Sequence, residues 1–280
     1  IRNQGENPWE RLHLMAEAMP NTPLIVGGVL RNFGNIPDSV TEFWAKTVAK
    51  AGAKLIRIND PCHDMAEIRK AIKWSKSAGL ITMVALIYSY SPVHTDEYYA
   101  EKAKQMALAG ADRIFIKDVD GLLTPERTRT LVPAILKNID GIPLEIHGHC
   151  TTGLSPICYL EAVKLGVTIV HTAVSPLANG PSQPSIENIL KNLSRMGFSS
   201  GIDETALKDM SEHFRYIAQR EGFPLGTPME YDLFQYEHQV PGGMMSNYKA
   251  ELARRGLQSQ LNALLGEIAQ IRKELGFPIM

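Results

Sequence analysis

The sequence predicts an α/β protein of the (β/α)8 TIM-barrel type, with about six βα units visible, the first two strands missing, and a C-terminal helical extension. Three observations predict it. Short apolar runs alternate with amphipathic stretches of helical period between residues 24 and 198. The runs are apolar throughout, as strands covered on both faces are. Unusual polar residues (Arg31, Asp60, His94, Lys117, His147, His149) follow the C-terminal ends of the runs, where parallel barrels carry their chemistry. A doubly wound sheet tolerates six units, but it calls for a glycine-rich G-x-G-x-x-G turn after a strand, and no run is followed by one.

The elements follow in order. Residues 7–19 (NPWERLHLMAEAM) have a proline-led start and helically spaced apolar residues, and Pro-Asn-Thr-Pro stops them. LIVGGVL (24–30) is the first strand, followed by a loop and a helix over 38–51 that ends at Gly52. The unit then repeats: LIRIND (55–60) and a helix to Gly79, LITMVALIYS (80–89) and a helix over 95–110, RIFIKD (113–118) and a helix over 124–138. LEIHGH (144–149) precedes a helix over 155–166, and TIVHTAV (168–174) precedes one over 185–196. After Ser199 the alternation stops. An amphipathic helix (201–222), a stretch with a Pro-Gly-Gly loop (230–252) and a further helix (256–276) make up the extension. The expected division is therefore 1–198, a partial barrel, and 199–280, helical.

With 280 residues, 44% of them apolar, and a net charge of −1, the chain has material for a large core and no basic field for nucleic acid or anionic lipid. Its longest apolar run is strand length, and IRNQGENPWE is not a signal peptide. A cytoplasmic location is expected. Cys62, Cys150 and Cys158 lack ligand spacing and read as reduced thiols.

Chemistry concentrates in residues 113–153. His147 and His149 are spaced i, i+2, so both imidazoles leave one face of a strand and can converge on a divalent ion, with Gly148 leaving room opposite. Two hydrogen-bonded histidines at a strand end are the plain alternative. Lys117 closes an apolar strand, where an ammonium must be paired, exposed or modified; a salt bridge to Asp118 or Asp120 and conversion to a carbamate are both open. Cys150 alternates to the opposite face and reads as packing, and His94 and His171 read as structural. Met244, Met245 and the aromatics between Tyr231 and Tyr236 read as filler. In Ser182-Gln183-Pro184-Ser185, Ser185 can cap the next helix, whose free amides can receive a carboxylate or carbonyl oxygen.

These residues sit in a longer set: NPWERL at Asn7, SPVHT at Ser91, IKDVDGLLTP at Ile116, HGHCTTG at His147, SQPS at Ser182, HQVPGGMMSN at His238 and IRKELGFP ending at Pro278. The set resembles the carboxyltransferase domain shared by pyruvate carboxylase, the oxaloacetate decarboxylase alpha subunit and the transcarboxylase pyruvate-binding subunit. The resemblance implies a barrel with a helical extension and a divalent ion (Mn, Zn or Co) held by His147, His149 and a carbamylated Lys117. It implies carboxyl transfer between biotin on a separate carrier domain or subunit and a small 2-oxo acid of the pyruvate or oxaloacetate type. Arg31 and Gln183 are the implied substrate-binding residues, and Lys117 and Ser182 the implied catalytic ones. Three departures stand out. The Arg-Asp-x-x-Gln strand that carries a further ligand is not in the sequence, which reads as starting after the second strand; a removed segment or another chain would supply it, and without that start a homo-oligomer is expected to cover the open side. Pro181 stands where the family has a proton-shuttling threonine, leaving Ser182 as the nearest hydroxyl. Asp120 and Cys150 also differ from the family pattern. A biotin-independent lyase or condensing enzyme of the same superfamily, or a scaffold paralogue without catalysis, are the other readings.

Overall fold

The computed structural model describes residues 5–28 and 36–279. Arg31 lies outside them. Among the described residues six strands form one sheet: β1 (Ile25–Gly27), β2 (Leu55–Ile58), β3 (Ile81–Ile87), β4 (Arg113–Asp118), β5 (Leu144–Gly148) and β6 (Ile169–Val170). Their order in the sheet is their order in the chain. β1 pairs in parallel with β2, β2 with β3, and β5 with β6. A parallel neighbour requires a crossover, and helices α1 (Pro8–Ala18), α2 (Asp38–Lys50), α3 (Met65–Ser77), α4 (Asp96–Leu108), α5 (Pro125–Leu136), α6 (Ser155–Lys164) and α7 (Ile186–Arg195) alternate with the strands as the sequence pattern predicts.

Two compact units contain these elements. In the first, which includes residues 5–28 and 36–87, Ala45, Val48, Ala53, Ile56 and Leu80 form a buried cluster against Trp9, Leu12 and Trp44. Trp9 and Trp44 meet with ring centroids 5.2 Å apart, and the Trp44 indole donates to the Gly27 carbonyl. β3 is buried from Thr82 to Ile87. Its one polar member, Thr82, is satisfied by Asp112, which accepts from both its amide and its hydroxyl.

The second unit, made of residues 88–99, 116–134 and 145–279 among those described, holds the remaining chemistry-bearing groups. Ser185 caps α7 by accepting from the Asn188 amide. Asp203 caps α8 (Glu204–Glu221), which stops at Gly222 in the left-handed conformation. Short α9 (Phe234–His238), then α10 (Gly242–Arg254) and α11 (Leu261–Glu274) follow. The Pro-Gly-Gly element, expected as a loop, leads straight into α10: Pro241 precedes it, and Gly242 and Gly243 are its first residues. A Cβ on Gly242 would stand 2.5 Å from the Pro181 Cβ, so glycine is required by that close approach. β6 is shorter than the expected strand over 168–174. Beyond His171 the chain turns away to bond with the start of α7, through the Ala173 amide to the Pro184 carbonyl and the Ile186 amide to the Ala173 carbonyl.

His94 is buried in this unit, with Nδ1 2.7 Å from the Ser91 hydroxyl. Burial, then the positive charge of Arg272, pushes its pKa down to about 4. The unfolded chain therefore binds a proton that the folded chain refuses between pH 6.5 and about 4, and stability falls as pH falls through that window. Urea midpoints at pH 7 and pH 5 are expected to show the loss, and His94→Gln to reduce it; a pH-independent difference between the two proteins would contradict this.

Candidate metal centre

The site lies at the C-terminal ends of β4, β5 and β6. Lys117 is the penultimate residue of β4, His147 lies near the end of β5 with His149 just past it, and His171 directly follows β6. Hydrogen bonds hold the strand ends: the His149 amide donates to the Asp118 carbonyl, and the His171 amide to the Ile146 carbonyl. The Tyr159 hydroxyl, from α6, accepts from the Gly148 amide at 2.7 Å and donates to the His171 carbonyl at 2.8 Å. Gly148 leaves room for it: a Cβ there would sit 3.4 Å from the tyrosine ring.

The i, i+2 spacing brings His147 and His149 together, with Nε2 facing Nε2 at 3.3 Å. The side-chain amide of Gln183 is 3.4 Å from the same His147 Nε2. On the other side His147 Nδ1 is 3.2 Å from His171 Nδ1, and His171 Nε2 is 2.7 Å from a carboxylate oxygen of Glu145. Glu145 is fully buried. Burial, and then the charge of Lys117, lowers the His149 pKa to about 4, so its ring is neutral at pH 7. Lys117 also opposes the effects that raise Asp120, chiefly burial and then neighbouring Asp118. The lysine thus acts electrostatically on both His149 and Asp120.

Asp118 holds the turn after β4, its carboxylate accepting from the Leu122 and Leu123 amides. Burial raises its pKa to about 6 against those bonds. The turn needs Gly121 at φ +65°, where a Cβ would come within 2.7 Å of the His149 carbonyl oxygen. Ser182 is fixed beside the pair through its backbone, its carbonyl accepting from the Cys150 amide and its amide donating to Asn179. Cys150 is buried, which pushes its thiol up to about 12. Pro181 is exposed and packs against Gly242. Of the residues singled out from the sequence, His147, His149 and Gln183 meet here, Lys117 acts electrostatically on His149, Ser182 is tied to the Cys150 amide through its carbonyl, and Arg31 is outside the described residues. Sequence reasoning missed Glu145 and gave His171 only a structural part. The E-x-H-x-H alternation of 145–149, which puts three polar groups on one strand face, was the available signal.

Parallel strands flanked by helices, with polar groups at the strand ends, define an α/β barrel-type domain, and the comparisons resolve the family. Residues 59–213 match the HMGL-like family, and residues 236–280 match the Conserved carboxylase domain. A pyruvate carboxylase subunit from Methanocaldococcus jannaschii is 35% identical over 99% of this chain and 50% of its own length. The methylmalonyl-CoA carboxyltransferase 5S subunit of Propionibacterium freudenreichii subsp. shermanii is 31% identical over 99% and 56%. The carboxyl transferase domain of Rhizobium etli pyruvate carboxylase, solved with pyruvate, superposes with a TM-score of 0.93 at 26% identity, over 99% of this chain and 48% of that one. The chain belongs to the HMGL-like family and is similar to the carboxyltransferase domains of pyruvate carboxylase and transcarboxylase. Its fold is of their TIM-barrel type. It spans about half the length of the curated relatives it matches.

Proposed function

We propose that this chain carries out metal-dependent carboxyl transfer between biotin on a separate carrier and a small 2-oxo acid of the pyruvate or oxaloacetate type. The observation that carries the reading is the pair of Nε2 atoms, 3.3 Å apart, at the strand ends of a carboxyltransferase-family fold.

The donor set fits an ion. Two imidazole nitrogens each about 2.0–2.1 Å from a tetrahedral zinc are about 3.3 Å from one another, which is the separation seen here. His147 and His149 would be the imidazole ligands and Lys117, as a carbamate, a ligand of a different kind; among the described residues no group of three or more His, Cys, Asp or Glu side chains is arranged to hold a metal. A bound divalent ion supplies Lewis-acid polarisation of the substrate's keto oxygen. The chain's own residues do the rest. Gln183 orients the substrate from the His147 side, the apolar flanks of β4 and β5 keep water out, and Ser182, next in sequence to Pro181, offers the hydroxyl that Pro181 lacks. Arg31 is proposed to bind the substrate carboxylate.

The test is oxaloacetate decarboxylation by the protein in its native length, with metal content measured alongside. Turnover that rises on adding biotin and falls on chelation is expected; metal-loaded protein indifferent to biotin would overturn the reading. Pro181 favours one second reading, a biotin-independent lyase or condensing reaction at the same site, which predicts turnover of a 2-oxo acid or acyl thioester without biotin.

A further inference from the structure

Two hydroxyls of α6, those of Ser155 and Tyr159, are four residues apart and so leave one face of the helix. Both side chains are buried, and both hydroxyls bond to the backbone of His147-Gly148-His149. The Ser155 hydroxyl donates to the His149 carbonyl, and the Tyr159 hydroxyl accepts from the Gly148 amide at 2.7 Å. Tyr159 donates its own proton to the His171 carbonyl at 2.8 Å, nearer than the Gly148 carbonyl at 3.4 Å.

That hydroxyl has a particular place in the sheet. β5 and β6 pair in parallel, Glu145 against Ile169 and Ile146 against Val170, and the His171 amide adds a bond to the Ile146 carbonyl. A parallel ladder continues from there with a bond from the Gly148 amide to the His171 carbonyl. Those are the two groups that Tyr159 joins, so its oxygen stands inside the ladder as an extra link. With bonds of 2.7 and 2.8 Å meeting at a bent oxygen, the amide nitrogen and the carbonyl oxygen are held about 4.5 Å apart, against about 2.9 Å in a direct rung. β5 and β6 are thereby spread at the end that carries the histidines. Glycine at 148 admits the wedge: a Cβ there would lie 3.1 Å from the Ser155 hydroxyl and 3.4 Å from the tyrosine ring.

We propose that Ser155 and Tyr159 are positioning residues, a two-point clamp from α6 that fixes the main chain between His147 and His149 and sets the spread of β5 from β6. A glycine between two ligand candidates is the least restrained link the chain can offer. The clamp removes that freedom on both sides of it, at the Gly148 amide and at the His149 carbonyl. The two imidazoles are aimed by the backbone they hang from, so holding the peptides holds the separation of their Nε2 atoms. That the aimed rings serve a metal rests on the function proposed above, whereas the clamp itself is a property of the main chain.

The experiment uses Tyr159→Phe, which keeps the ring and removes the oxygen, and Ser155→Ala, each in the full chain with circular dichroism to confirm folding. Hydrogen exchange of the Gly148 amide, followed by 15N–1H NMR without metal, is expected to quicken about tenfold in Tyr159→Phe relative to the amides of α6, the scale of one lost hydrogen bond. Co2+ is then titrated in, and its visible absorption reports the geometry of the rings around it. Affinity is expected to fall about tenfold with an altered band, the low end of what losing an outer partner of a metal site costs. A side chain that only packed would lower the urea midpoint and move neither readout. Ser155→Ala, the milder variant, is expected to move both in the same direction and decides the matter where Tyr159→Phe does not fold. Unchanged Gly148 exchange in a folded variant would overturn the proposal, and so would unchanged Co2+ affinity and absorption where the unaltered protein binds the ion. Unaltered protein that binds no Co2+ would count against the metal reading alone, and Gly148 exchange then decides the clamp.

Discussion

Changing His149 to alanine is expected to lower biotin-dependent oxaloacetate decarboxylation by on the order of 10²–10³-fold, the scale on which loss of one electrophilic partner of a developing oxyanion is felt. His149 is half of the facing pair, so its removal leaves His147 as the one imidazole of the proposed ligand set. The structural damage is local. Its Nδ1 has no hydrogen-bond partner among the described residues, so the side-chain hydrogen bond lost is the one from Nε2 to His147. Steady-state kinetics with metal analysis on the same sample check the result: metal content and rate should fall together. A variant that loses its metal and keeps its rate would remove His149 from the chemistry.

The second large effect is on stability. Arg272, on α11, is only 4% exposed, and it donates to the Ser89 hydroxyl at 2.9 Å. Its charge opposes the rise in pKa that burial and Asp118 impose on Asp120, a carboxylate 2% exposed with one oxygen lacking a hydrogen bond. Substituting Arg272 with methionine keeps much of the volume and removes the cation, leaving Asp120 to Lys117 alone and the Ser89 hydroxyl with one fewer donor. A loss of about 1–3 kcal/mol is expected, the scale of deleting a charged donor to a buried hydroxyl, read as a lowered urea midpoint. Adding Asp120→Ala to the methionine variant should recover part of that loss, because the stranded carboxylate goes with it. Additive losses in the double variant would show that the two charges are independent.

Which parts of this were legible in the sequence follows from how local each signal is. The βα alternation is local: apolar runs such as ITMVALI and caps such as Ser185 and Asp203 declare themselves within a few residues, and the strands and helices stand close to where the pattern puts them. The His147–His149 pair was equally legible, because a strand's two-residue period alone aligns the rings. His171 and Glu145 were not, since their partnership depends on the register of β5 against β6, which the segments do not state separately. Arg272 was harder still. An arginine near the end of an amphipathic helix reads as a solvated C-terminal charge, and only the fold reveals that it points at a serine 183 positions earlier.

The same Ser89–Tyr90 segment has a further partner. Gln239 accepts from the Tyr90 amide and donates to the Tyr90 carbonyl, reading the N–H and C=O of one residue as a neighbouring strand would, across 149 residues of sequence. Its carboxamide oxygen also accepts from the Ser89 hydroxyl. The turn after β3 is thus finished by side chains that emerge from the ribosome long after it does. Such distant closures slow the search for the native state, and during synthesis this turn must wait, its peptide groups bonded to water, until the segment that carries Gln239 has been made.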